Sequence, residues 1–299
     1  MAQSSNFIDP TILNSLDNLE MRARVIVEGF LSGLHRSPAK GFSVEFKDYR
    51  HYQRGDDMRH VDWKLYGRSD RMFIKQYEDE TNLRCFLLLD SSASMAYSSS
   101  STGMNKLEYG RTLASALAYF IMRQRDAVGL ITFDDALRDY LPAMCRQPHL
   151  LRILRTLSEL KPGANTNIVK PLQELAMNLN RKSLVILISD LLNDEAEVIT
   201  ALRQLRAMGN EVIVFHVLDQ EELNFSFSES SEFIDMETQE SHVTSPGAIR
   251  NVYLENLATY LNYCRSECQK GAVDYCLLNT SEPLDKALYS YMTRRAKSF

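Results

Sequence analysis

The sequence predicts an α/β fold: a doubly wound, mostly parallel sheet flanked by helices, preceded by an N-terminal α+β elaboration. Three observations carry this. Apolar runs at 86–89 and 184–188 have the near-continuous hydrophobicity of strands buried on both faces. Such runs alternate with helical patterns of ten or more residues, the arrangement that gives a parallel sheet. The composition is that of an ordinary globular chain, 44% apolar and 24% charged over 299 residues, and 12 Gly with 8 Pro exclude collagen-like or low-complexity character.

Along the chain, Leu13, Leu16, Leu19, Val25, Ile26, Phe30 and Leu34 recur at three- and four-residue spacings, a helical pattern. Asp9-Pro10 suits its start, and Gly33 and Pro38 its end. Residues 35–82 are dense in aromatics, and their ten Lys/Arg nearly cancel nine Asp/Glu. Alternation at 43–46 and 72–77 reads as strand, and Gly55-Asp56-Asp57 as a turn. From residue 83 a βα rhythm takes over. Strands are expected at 83–89, 127–133, 184–189, 211–218 and 272–278. Helices are expected at 106–123, 147–160, 167–180, 195–208, 248–271 and 283–296, with Gly209 closing the fourth. The polar stretch 222–246 reads as a hairpin or a loose excursion. Two regions result: 1–82, a helix and a charged, aromatic module, and 83–299, the sheet domain.

Much is excluded. A formal charge of −5 argues against a whole-chain nucleic-acid binder. Five Cys do not make a disulfide scaffold, and Cys264 and Cys268, four apart on a helix, read as buried thiols. His216 lies in an apolar strand and reads as a core residue. The first ten residues have no signal-peptide pattern and no apolar run approaches the roughly 20 residues of a membrane span, so a cytoplasmic protein is expected. Walker A, dinucleotide-binding, zincin and nucleophile-elbow motifs do not occur. The run 98–101 reads as a solvated tip.

The chemistry-bearing constellation begins at the end of strand 83–89. Asp90, Ser92 and Ser94 follow at alternate positions, where a tight loop can turn all three oxygens to one point. One carboxylate and two hydroxyls form a partial shell for a hard cation, although the same residues also suit a turn and a helix cap. Asp190 directly follows strand 184–189, and Thr166 lies in the loop 163–167. If both strands share one parallel sheet, Asp90 and Asp190 emerge on the same edge.

Asp90-x-Ser92-x-Ser94, a later Thr166 and a later strand-end Asp190 resemble the metal-ion-dependent adhesion site of von Willebrand factor A-type domains. The resemblance implies a doubly wound sheet with Mg²⁺, or Mn²⁺ or Ca²⁺, held by those five residues. A second resemblance is narrower. Gly41 to Phe46, Tyr49-Arg50, Arg54-Gly55-Asp56-Asp57-Met58-Arg59-His60-Val61-Asp62-Trp63-Lys64, Arg68 to Arg71 and Lys75 to Glu80 are similar to the signature of the bacterial family labelled domain of unknown function 58. The closing stretch 287–295 resembles that family's end. The family implies an A-type domain after the signature, no catalytic activity, and a MoxR-type AAA ATPase or its client as protein partner.

Within the signature, Arg54, Asp56, Asp57, Arg59, Asp62 and Trp63 read either as an ion-pair network pinning irregular backbone or as a partner-docking surface. Two other readings of the whole chain stay open. One is a metal-dependent hydrolase or phosphotransferase using Asp90 and Asp190, for which no Lys or His is evidently placed as acid or base. The other is a scaffold with an empty site.

Overall fold

The structure, a computed structural model, describes residues 18–36, 49–51, 66–67, 72–75, 83–99, 104–163, 167–179, 182–227, 231–234, 241–244 and 246–297. The chain divides into two compact units, Leu34–Asn82 and, together, Met1–Gly33 with Leu83–Phe299.

In chain order, helix α1 spans Leu19–Arg36. In the smaller unit, β1 (Tyr49–His51) and β2 (Phe73–Lys75) pair antiparallel, Arg50 opposite Ile74. The larger unit continues with β3 (Arg84–Asp90), α2 (Lys106–Arg123), β4 (Ala127–Phe133), β5 (Leu137–Met144), α3 (Gln147–Glu159), α4 (Val169–Asn178) and β6 (Leu184–Ser189). Then come α5 (Glu195–Ala207), β7 (Glu211–Leu218), the short α6 (Gln220–Asn224), the hairpin β8 (Ser231–Ile234) and β9 (Ser241–Thr244), α7 (Pro246–Lys270), β10 (Asp274–Asn279) and α8 (Asp285–Lys297).

Among the described residues, six strands form the main sheet in the order β10-β7-β6-β3-β4-β5, with every pair parallel except β4–β5. Numbered within the sheet this is 3-2-1-4-5-6, the doubly wound order, and its switch point falls between β3 and β6. The expected architecture is therefore the observed one. β3 and β6 occupy the centre because their apolar residues can be covered on both faces. Phe86, Leu88, Val185 and Leu187 face a core shared with Leu172, Leu175 and Leu202 of α4 and α5. On the opposite face, α2 comes so close that a Cβ on Gly110 would lie 2.9 Å from Leu89 Cδ1.

Two elements depart from the sequence reading. β5 is absent from it because Arg138, Asp139 and Pro142 break the apolar run. An edge strand tolerates them, since only one of its sides must pair. The sequence reading sets helix α1 with residues 35–82, whereas its residues 19–33 fall in the same compact unit as the sheet. Its Ala23, Ile26 and Val27 are buried, Phe30 meets Phe120 of α2 edge-on at 6.4 Å, and Arg22 pairs with Glu108. Its apolar stripe covers α2, which explains where the sequence periodicity is spent.

Candidate functional site

The site grows from strand register. Leu89 lies opposite Ile188 in the parallel β3–β6 pair, so both strands end together. Asp90 is the last residue of β3, and Asp190 follows β6 by one residue. Both side chains are fully buried at the carboxyl edge of the sheet, beside the switch point.

Asp90 is held by neutral donors. Its Oδ1 accepts from the Ser92 amide at 2.9 Å, and its Oδ2 from the Ser189 hydroxyl at 2.6 Å. Burial, and then the neighbouring Asp190 charge, push its carboxyl up to about 7, against those hydrogen bonds. The chain then winds into a short 3₁₀ turn, Ser94–Ala96. Ser92 Oγ and Ser94 Oγ are 3.0 Å apart, both residues buried. The two hydroxyls of the loop thus lie side by side. Ser91, between Asp90 and Ser92, donates instead to the Phe133 carbonyl.

Asp190 meets a residue that the sequence reading passed over. Lys106 Nζ donates to Asp190 Oδ2 at 2.8 Å and to Glu222 Oε1 at 2.6 Å, with the lysine side chain 0% exposed. Burial works against the charged form, but Asp190 and Glu222 together hold the ammonium charged, above its usual range. Glu222 also accepts from the Asp219 amide and so caps α6. His216 Nε2 donates to the Asp190 carbonyl at 2.9 Å, while its Nδ1 accepts from Tyr275 at 2.6 Å. Burial lowers this imidazole to about 4, so it is a neutral core residue, as its apolar strand suggests. After Asp190 the backbone turns through Leu191 at φ 54°, pinned by Tyr260, which donates to the Leu191 carbonyl at 2.7 Å.

Thr166 lies outside the described residues, as do Arg54, Asp56, Asp57, Arg59, Asp62 and Trp63. The described residues on either side of the Thr166 loop are tied to the site. Gly163 donates to the Ser91 carbonyl at 2.6 Å, and the Ile168 amide donates to Asn193 Oδ1 at 3.1 Å. Of the run 98–101, only Ser98 and Ser99 are described, the rest lying outside the described residues. Ser99 is buried, and its amide donates to Asp219. Ser189, Lys106 and Glu222 are the participants that sequence reasoning missed. A lysine opening an otherwise buried helix was the one available signal, because the helix macrodipole disfavours a cation there.

Among the described residues, no three His, Cys, Asp or Glu side chains gather as a metal cluster. The donor set nevertheless fits a hard cation: carboxylates of Asp90 and Asp190, hydroxyls of Ser92 and Ser94, and neither sulfur nor imidazole nitrogen. Three buried or half-buried acids, Asp90, Asp190 and Glu222, stand against the single ammonium of Lys106. That excess of negative charge in a low-dielectric site favours a further cation. Beside this edge opens a cavity of about 310 Å³, lined by Leu192, Glu195, Leu218 and Glu222 and by Tyr253, Asn256, Leu257 and Tyr260 of α7.

Residues 48–259 match the family described as Protein of unknown function DUF58. The chain belongs to that family. A relative by sequence is the Uncharacterized protein Rv1480 of Mycobacterium tuberculosis, 26% identical over 216 residues, 71% of this chain and 66% of the relative. The DUF58 chain thus spans just under two thirds of that protein's length. Among solved structures, the conserved hypothetical protein BatB from Bacteroides thetaiotaomicron matches 73% of this chain and 100% of its own, with a TM-score of 0.50 and 17% identity. The SpRpn10 VWA domain matches 70% of this chain and 94% of its own, with a TM-score of 0.43 and 13% identity. The sheet unit thus shares with BatB a fold built on a doubly wound, mostly parallel sheet.

Proposed function

We propose that the chain is a metal-dependent protein-interaction module. In this reading Asp90, Ser92, Ser94, Asp190 and Thr166 hold Mg²⁺, or Mn²⁺ or Ca²⁺, and the module is an adaptor for a MoxR-type AAA ATPase or its client. The observation that carries the reading is the convergence of two buried carboxylates and two hydroxyls at the switch-point edge, with more negative charge than Lys106 offsets. A bound Mg²⁺ would supply an open coordination position for an Asp or Glu of the partner.

The chain's own residues do the positioning. Ser189 and the Ser92 amide orient Asp90. Lys106 orients Asp190, and the Tyr260 bond fixes the turn behind it. The cavity against α7 lies next to this edge and offers apolar surface for the remainder of a partner's footprint. The ATPase as partner rests on the family resemblance, as does the wider docking role given to the signature residues Arg54 to Trp63.

The enzyme alternative gains nothing from Lys106. Its ammonium is buried and fixed by two carboxylates, so it is not poised to exchange a proton near neutral pH. The test is co-purification of the chain with a purified MoxR-type ATPase, with and without excess EDTA, for the native chain and Asp90→Ala. Retention that is lost in EDTA and in the folded variant supports the reading. Retention indifferent to both refutes the bridged contact.

A further inference from the structure

Lys106 opens α2, where the helix macrodipole disfavours a cation, and its side chain is wholly buried. Three groups offset that double cost: Asp190 at 2.8 Å, Glu222 at 2.6 Å, and the Tyr97 ring, whose centroid is 5.7 Å from the ammonium. They come from three different segments, the loop after β6, helix α6, and the loop after the 3₁₀ turn. The ammonium is therefore the node at which these segments meet α2.

We infer that Lys106 is a built-in counter-cation that sets the charge of the candidate metal edge and so its affinity for a divalent cation. The inference rests on the adhesion-type reading above and deepens it. Without the ammonium, Asp90, Asp190 and Glu222 would present three negative charges to a divalent cation. With Lys106 paired to both Asp190 and Glu222, that excess falls to two, which the cation just balances. The cost falls on metal affinity, because Lys106 and the cation are like charges sharing one carboxylate. Glu222 moderates this by sharing the ammonium from the other side.

Two substitutions shift the charge in opposite directions. Lys106→Met removes the competing ammonium and should tighten Mg²⁺ binding by about tenfold or more. Glu222→Gln keeps an oxygen for Lys106, removes one negative charge, and should weaken Mg²⁺ binding about threefold. A merely structural role would weaken both. Calorimetric titration of MgCl₂ into the full chain, with circular dichroism as the check on folding, reads the result.

The order Lys106→Met tightest, native next and Glu222→Gln weakest supports the inference. A folded Lys106→Met that binds no more tightly than the native chain overturns it and leaves the adhesion-type reading standing. Binding by Lys106→Met where the native chain shows none supports the inference and removes Mg²⁺ from the native reading. Silence in all three overturns both. If Lys106→Met does not fold, Lys106→Gln takes its place: tighter binding than in the native chain supports the inference, equal or weaker binding overturns it.

Discussion

Ser189 joins the two strand ends. Its hydroxyl donates to Asp90 Oδ2 and accepts from the Leu191 amide, so one side chain fixes both the carboxylate and the turn beyond Asp190. Ser189→Ala leaves a buried carboxylate oxygen and an amide without this partner, and should lower stability by about 1–3 kcal/mol in urea unfolding. An unchanged midpoint would mean that the bond carries no weight. The Lys106–Asp190 pair is more strongly coupled. Removing one member of a buried ion pair costs about 3–5 kcal/mol, because the other stays charged and buried. Asp190→Ala should therefore lose up to about that much, less whatever Glu222 retains. The Asp190→Ala/Lys106→Met double variant should recover part of it. Simple additivity in the double-mutant cycle would contradict the coupling.

At the scale of elements, the central strands were legible because burial on both faces leaves an unbroken apolar run. β3 and β6 are such runs, and each ends at an acid. β5 was not legible, since an edge strand with Arg138, Asp139 and Pro142 reads as a loop. The site was legible only where the chain itself spaces the oxygens. Asp90, Ser92 and Ser94 are neighbours in sequence, whereas Lys106, Ser189 and Glu222 meet them through tertiary packing, for which the lysine at the start of a buried helix is the one local sign. The loop toward Thr166 shows the same dependence on packing. A Cβ on Gly163 would lie 2.2 Å from Asp134 Oδ2 and 2.7 Å from Arg138 Nη2, so only glycine fits against that ion pair. Gly163→Ala should cost about 1–3 kcal/mol in urea unfolding and weaken Mg²⁺ binding by moving the loop. Native stability and native affinity in this variant would show that the close approach is not required.

At the scale of the whole molecule, the −5 charge says little by itself, because what matters is where the acids are buried. No described helix is long and apolar enough to cross a membrane. The doubly wound sheet places its carboxyl edge where any ligand of this fold is expected, and the buried acids lie at that edge. A ligand that binds only the folded state stabilises it, by about 2.7 kcal/mol at a hundredfold excess over Kd. For a unit of this size that raises Tm by roughly 5–10 °C, and EDTA should reverse the rise in scanning calorimetry. An unchanged Tm across Mg²⁺ concentrations would weigh against a native metal site.

The most direct test of the central claim is calorimetric titration of Mg²⁺ into the native chain and into Asp90→Ala. The account predicts one saturable site in the native chain and none in a variant that remains folded. No binding by the native chain, or equal binding by Asp90→Ala, would contradict it.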